Sequence, residues 1–192
     1  REPEPPEPTQ MEVICDYKPV CCIGVGITAE VWLVHGFDAA GEPVSLADKR
    51  MSILLTAASI RPTAIAEEIQ ALQVLQECPF FPRFHDFEIV NDEVHMRAEY
   101  IPGKTLEYIL KQKGFKTLGE TLSRKFGSHV LEAIKYMSSK NLVHCDIATR
   151  NIIVTPSGVA RLIDLGFAVT SGGRRHIRDD FPLGSWAPEV RN

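Results

Sequence analysis

The chain has 192 residues, 44% of them apolar and 24% charged, with 21 Lys and Arg against 25 Asp and Glu for a net charge of -4. That balance describes a globular chain able to bury a sizeable core in one domain or two small lobes, and it excludes disordered, collagenous and membrane-spanning classes. The acidic excess also argues against nucleic acid as a partner, because phosphate-backbone binders carry clustered positive charge and the one basic run, Arg174, Arg175, His176 and Arg178, is short.

Residues 1–12 form a Pro/Glu-rich tail with too little apolar surface to offset the entropy of ordering it, and a disordered, solvated segment is expected there. They contain no apolar stretch of the kind a signal peptide needs, and no later run is long enough to span a bilayer. Five cysteines, Cys15, Cys21, Cys22, Cys78 and Cys145, make no Cys-x-x-Cys pair and no metal-like spacing. A reducing compartment, cytoplasmic or nuclear, is the expectation.

From residue 20 to 37 the pattern is strand-like, interrupted by Gly24 and Gly26. A turn-like segment at 38–43 and a short apolar run at 44–47 follow, together a strand, turn, strand meander. Ile65, Ile69, Leu72 and Leu75 recur at steps of three and four with Glu67, Glu68, Gln70 and Gln73 between them, which predicts an amphipathic helix. Strands are predicted at 83–90 and 94–101, joined by Asn91-Asp92-Glu93. Residues 13–101 thus read as a small antiparallel sheet with one helix. After Pro102-Gly103 the pattern turns helical: Thr105 is placed to cap a short helix through Lys111, and Leu122, Phe126, Val130, Ala133, Ile134 and Met137 mark a long one. Residues 102–192 form this second, mainly helical part.

Gly24-Val25-Gly26-Ile27-Thr28-Ala29-Glu30-Val31 is a glycine-rich turn inside a strand pair, where bare amides can approach phosphates; alone, such a pair of glycines more often marks a bulge or tight turn. No helix opens directly on it, which excludes a Rossmann fingerprint. The segment Ala98 to Thr105 loosely fits a phosphate-binding loop ending in Gly-Lys-Thr, but Pro102 offers no amide and Glu99 adds a negative charge. Much more specific is His144-Cys145-Asp146-Ile147-Ala148-Thr149-Arg150-Asn151, then Asp164-Leu165-Gly166, then Ala187-Pro188-Glu189. This order and spacing resembles the catalytic loop, metal-binding loop and activation-segment end of eukaryotic-type protein kinases. Ala47-Asp48-Lys49 resembles the strand carrying the family's phosphate-gripping lysine, and Glu68, nineteen residues on, resembles its helix partner. Glu67 is the near rival, and Glu68 is preferred for its place beside the buried stripe. The resemblance covers residues 23–189.

It implies an α+β, two-lobed protein kinase-like fold, an antiparallel first lobe with one helix and a mainly helical second lobe that is incomplete. It also implies an ATP- and Mg²⁺-dependent transfer of the γ-phosphate to a protein Ser, Thr or Tyr hydroxyl. Gly24 and Gly26 would cover the phosphates, Lys49 would hold them and Glu68 would fix Lys49. Asp146 would align the incoming hydroxyl, and Asn151 and Asp164 would hold Mg²⁺. Ile23, Val31 and Ala47 above and Ile153 below would enclose adenine, with the backbones of Glu99 and Ile101 at its edge and small Ala98 behind it. The partners implied are ATP and a protein substrate. A column of Leu72, Phe84, His144 and Leu165 would join the lobes, with His144 as packing. Since Lys49 is expected to touch phosphates rather than core, Lys49→Met is expected to leave the fold largely intact.

Departures from the family pattern are Ala29 for a third glycine, Leu165 for Phe, and Cys145 for the Arg that pairs with an activation-segment phosphate. The last removes the main electrostatic reason for phosphorylation to order that segment. Ala148-Thr149-Arg150 and Trp186 resemble tyrosine kinases, which leaves the acceptor hydroxyl open. The alternative function is a pseudokinase or kinase fragment acting as a nucleotide-binding or scaffold module.

Overall fold

The computed structural model describes residues 17–26, 28–37, 40–59, 63–114 and 118–171. The predicted tail, the basic run at 174–178 and Ala187-Pro188-Glu189 lie outside the described residues, as does Ile27.

The first half folds as strands β1 (Lys18–Val25), β2 (Ala29–Phe37) and β3 (Pro43–Ser52), helices α1 (Ile53–Ser59) and α2 (Ala64–Leu75), and strands β4 (Phe84–Val90) and β5 (Glu93–Glu99). The five strands make one antiparallel sheet in the order β1-β2-β3-β5-β4. Asn91 and Asp92 close the β4–β5 hairpin at positive φ, 50° and 64°, as a two-residue turn with left-handed central residues requires. Sequence reasoning allowed one helix here, yet α1 follows β3 directly. Its Ile53-Leu54-Leu55 run has no helical period and leaves Leu54 and Leu55 exposed, so no stripe announces it.

Alternation along the strands divides the sheet into two chemically different faces. Val31, Lys49 and Met96 lie abreast on one face, as do Leu33, Ala47 and Ala98. On this side Met51, Val94 and Met96 join Ile69, Leu72 and Leu75 of α2 in the core. The opposite face aligns Trp32, Asp48 and Arg97. Asp48 is buried there, bonded to Arg50 at 2.9 Å and His95 at 3.2 Å, while Arg97 pairs with Asp86 at 2.8 Å and also with Glu88. Tyr17 covers the network: its ring lies 4.2 Å from the Arg97 guanidinium and its hydroxyl donates to Asp86 at 2.8 Å.

The second half contributes β6 (Lys104–Thr105), α3 (Leu106–Gln112), α4 (Glu120–Ser139), β7 (Leu142–Val143), a 3-10 turn (Thr149–Asn151), β8 (Ile152–Val154), β9 (Ala160–Leu162) and β10 (Val169–Thr170). Thr105 caps α3 by accepting the Tyr108 amide at 3.2 Å. In α4 Phe126, Ala133 and Met137 are buried, whereas Leu122 and Ile134 of the same predicted stripe are exposed. Strands β6, β8 and β9 form one small sheet and β7 with β10 another. One apolar cluster runs through both halves, from Leu72 and Leu75 to Met137, Leu162 and Leu165. The arrangement is the α+β, two-lobed fold expected. Among the described residues no helix is long and apolar enough to cross a membrane.

Candidate active site

The site begins with strand β3. Its alternation turns Ala47 and Lys49 to the core side of the sheet, where Lys49 meets α2 and the loop after β9. Lys49 Nζ donates to Glu68 Oε1 at 2.6 Å and to Asp164 Oδ1 at 2.9 Å. Glu68 lies on the buried stripe of α2 and is 4% exposed, while its rival Glu67 accepts the Thr63 hydroxyl at 2.7 Å at the helix start. Burial by itself disfavours the Lys49 charge, but the carboxylates of Glu68 and Asp164 outweigh it and hold the ammonium well above its ordinary value. Lys49 in turn holds the Asp164 carboxyl below its ordinary value, against the opposing effect of burial.

Gly166 completes this trio by having no side chain. A Cβ there would lie 3.2 Å from both Asp164 Oδ1 and Glu68 Oε2, too tight for the carboxylates to keep their places. Leu165 beside it is buried at 2% exposure in the cluster that holds Leu72, with Phe84 packed against that cluster. His144 is also buried, and burial holds its imidazole below the ordinary value; its Nδ1 accepts the Asp146 amide at 3.3 Å.

The segment between β7 and the 3-10 turn carries Asp146, which is 7% exposed. Asn151 Nδ2 donates to the Asp146 backbone carbonyl at 2.9 Å and to Oδ2 at 2.7 Å, so one amide fixes both the loop and its carboxylate. Arg150 Nη2 donates to the other oxygen, Oδ1, at 2.6 Å. Sequence reasoning had treated Arg150 only as a family marker; the signal available was its place four residues after an acid. Cys145 and Asp164 both adopt positive φ, 61° and 64°, a conformation costly to residues with a Cβ and concentrated at functional sites.

Above this constellation the β1–β2 hairpin turns at the glycine-rich segment, with the Gly26 amide donating to Ala29 O at 2.8 Å. Neither Gly24 nor Gly26 takes a positive φ. On β1 the register shifts between Cys22 and Gly24, leaving Ile23 as the extra, unpaired residue of a bulge, half-exposed at 43%. Val31 and Ala47 are half-buried on the core side, and Ile153 is half-buried on β8. The connection out of β5 runs through Glu99, Tyr100 and Ile101. The amides of Glu99 and Tyr100 donate to Arg83 O at 2.8 Å and Ser45 O at 3.3 Å, and Ile101 is buried. Ala98, also buried, pairs with Ala47. Arg161 of β9 reaches Glu99 from below, an ion pair absent from the sequence expectations because nothing local marks it.

Asp164 and Asn151 offer hard oxygen donors. Asn151 spends its NH₂ on Asp146, which leaves its side-chain carbonyl for a cation, and Asp164 uses only Oδ1 on Lys49. Among the described residues no group of three or more His, Cys, Asp or Glu could enclose a metal. Two oxygen donors without a cage suit Mg²⁺, which keeps waters and takes its other ligands from substrate phosphates.

Comparison with known proteins agrees with this architecture. The family described as Protein kinase domain matches residues 17–190. The chain is 28% identical over 160 residues to the "Probable cAMP-dependent protein kinase catalytic subunit" of Encephalitozoon cuniculi, an alignment covering 81% of this chain and 47% of that protein. It is 35% identical over 112 residues to mitogen-activated protein kinase kinase kinase 5 of Arabidopsis thaliana, covering 58% of this chain and 15% of that protein. The chain therefore spans less than half the length of these curated relatives. With a family match across nearly its whole length, the chain belongs to the protein kinase family.

Proposed function

We propose that this chain carries the phosphoryl-transfer site of a protein kinase, moving the γ-phosphate of ATP to a protein Ser, Thr or Tyr hydroxyl with Mg²⁺. The observation that carries the reading is the joint geometry of Lys49 with Glu68 and Asp164, and of Asp146 with Asn151. It joins Lys49 to two acids from distant parts of the chain and fixes the Asp146 carboxylate on Asn151.

Phosphoryl transfer needs positioning and charge stabilisation more than covalent help. Lys49 presents a held positive charge to the nucleotide phosphates. Glu68, buried on α2 and bonded to Lys49, keeps that charge in register with the strand. Asn151 and Asp164 would hold Mg²⁺, which supplies neutralisation of the charge on the transferring group. Ile23, Val31 and Ala47 above and Ile153 below exclude water from the adenine faces, with the Glu99 and Ile101 backbones at its edge. Asp146 accepts the hydrogen bond of the incoming hydroxyl and orients its lone pair. Since Asn151 occupies Oδ2, the hydroxyl shares Oδ1 with Arg150, so the guanidinium limits the direction from which an acceptor side chain approaches.

The test is binding and transfer measured on the same protein. Mg·ATP raises the melting temperature of the chain, and labelled γ-phosphate passes to a general protein acceptor. Asp146→Asn keeps the binding and lowers transfer by about 100-fold or more. A wild-type chain that is not stabilised by Mg·ATP and transfers no phosphate refutes the reading.

A further inference from the structure

We propose that Arg161 is a positioning residue for the nucleotide, clamping the Glu99 end of the lobe connection to the lower sheet and so setting the height of the adenine slot. This rests on the kinase reading above. Arg161 Nη1 lies 2.6 Å from Glu99 Oε1 and Nη2 lies 2.8 Å from Oε2, a two-pronged match of planar guanidinium to planar carboxylate. Nη2 also donates to the Phe81 carbonyl. The Glu99 carboxylate accepts the Arg83 amide at 3.2 Å as well, and the Glu99 amide donates back to Arg83 O at 2.8 Å. One guanidinium thereby joins the end of β5, the loop before β4 and β9.

Its place in the register gives this tie a consequence for binding. Arg161 is the cross-strand partner of Ile153, the expected floor of the adenine slot. Glu99 directly follows Ala98, the partner of Ala47 in its roof, and supplies backbone at the adenine edge. The clamp therefore spans the roof-side and floor-side elements at the edge where the base enters. Most exposed ion pairs hold nothing in place. This one is bidentate, the Arg161 side chain is only 12% exposed, and the neighbouring Leu162 amide donates a hydrogen bond to Phe80 O at 2.8 Å. The Arg161 hydrogen bond also holds the Glu99 carboxyl below its ordinary value, so the pair stays charged at neutral pH.

A purely structural staple and a positioning residue differ in what they change. Loss of a staple lowers stability and weakens every ligand alike, whereas loss of the clamp shifts the base site and leaves the phosphate site on Lys49 in place. The 192-residue chain, its Arg161→Gln and Arg161→Lys variants and Glu99→Gln are titrated with adenosine and, separately, with inorganic tripolyphosphate plus Mg²⁺. For Arg161→Gln the adenosine Kd rises about ten-fold while the tripolyphosphate Kd changes less than about two-fold; Arg161→Lys, charged but without the fork, falls between. Glu99→Gln, which keeps the arginine and the shape of the side chain, follows Arg161→Gln in direction and stands in for it if that variant does not fold. Unchanged adenosine affinity, or equal weakening of both ligands, overturns the clamp while leaving the kinase reading standing. A wild-type chain that binds neither ligand overturns the kinase reading and the clamp with it.

Discussion

Replacing Lys49 with Met separates the chemistry of the site from its stability. From sequence, a residue expected to touch phosphates should be removable at little cost to the fold. The structure instead places its ammonium 2.6 Å from a carboxylate, Glu68, that is 4% exposed. Removing one partner of a buried ion pair costs about 3–5 kcal/mol, because the other is left charged without compensation. Three features reduce that figure. Lys49 is 20% exposed, and Asp164 at 38% rehydrates when released. Glu68 can also escape by taking up a proton, at about 1.4 kcal/mol per unit between its pKa and the solution pH. A loss of about 2 kcal/mol is expected, or about 4–8 °C in Tm for a chain of this size.

The pH dependence identifies the cause. Burial pushes the Glu68 carboxyl above its ordinary value, and in wild type Lys49 opposes this. Without Lys49 the folded pKa rises further. A carboxyl raised in the folded state contributes stability that is present below its unfolded value and lost as pH rises through its folded value. The Lys49→Met deficit is therefore largest near about pH 8 and shrinks toward the carboxylate range. Melting curves across that range, beside Lys49→Met/Glu68→Leu, are the assay; the double variant should recover most of the loss, since apolar replacement of a buried pair is often neutral. Phosphate transfer is lost in both variants. A Lys49→Met protein that melts with wild type at every pH refutes the claim that this pair carries stability.

Gly103→Ala should lower stability by about 2–3 kcal/mol, because Gly103 has a φ of 153° and a Cβ there would strike the Val154 carbonyl; an unchanged Tm refutes this fixed geometry. In the full-length protein, phosphatase treatment should leave transfer nearly unchanged, whereas Cys145→Arg, by placing a cation beside Asp146, should make it phosphatase-sensitive; a large loss in the unmutated protein counts against this. Burial keeps the His144 imidazole below its ordinary value, so its contribution to stability is full above that value and is lost as pH falls below about 6.5. His144→Phe should flatten the fall in Tm between about pH 7.5 and 5.5, and equal slopes in both proteins refute this.

What was legible in the sequence was whatever repeats locally or keeps a fixed chain order. The three- and four-residue steps of Ile65, Ile69, Leu72 and Leu75 located α2 because burial of one helical face imposes that period. The same stripe favoured Glu68 over Glu67, and the structure places Glu68 on Lys49 while Glu67 turns to Thr63. α1 escaped because a continuous apolar run has no period to read. Arg161 and Glu99 stand 62 residues apart, and no pattern in either segment points to the other. Asp48 is a further case. An acid between Ala47 and Lys49 reads as a solvated strand position, yet it is 2% exposed because Arg50, His95 and Arg97 converge on it from two strands.

Among the described residues two charged ties link the halves of the chain, and they differ in how they hold. Lys49 with Asp164 joins β3 to a residue at positive φ, so part of the attraction is spent keeping Asp164 in a conformation that a residue with a Cβ disfavours. Arg161 with Glu99 joins β9 to a strand end without a positive φ, and its two-pronged hydrogen bonding outweighs the burial that opposes the Glu99 charge. The first tie lies among the residues expected to meet phosphate and metal, where a bound ligand would compete for Lys49 and relieve the strained contact. The second lies where the base is proposed to approach, away from the residues expected to meet phosphate. On the proposed reading the Lys49 contact would be the adjustable one, exchanged as nucleotide enters, and the Arg161 clamp would be the fixed reference for that exchange.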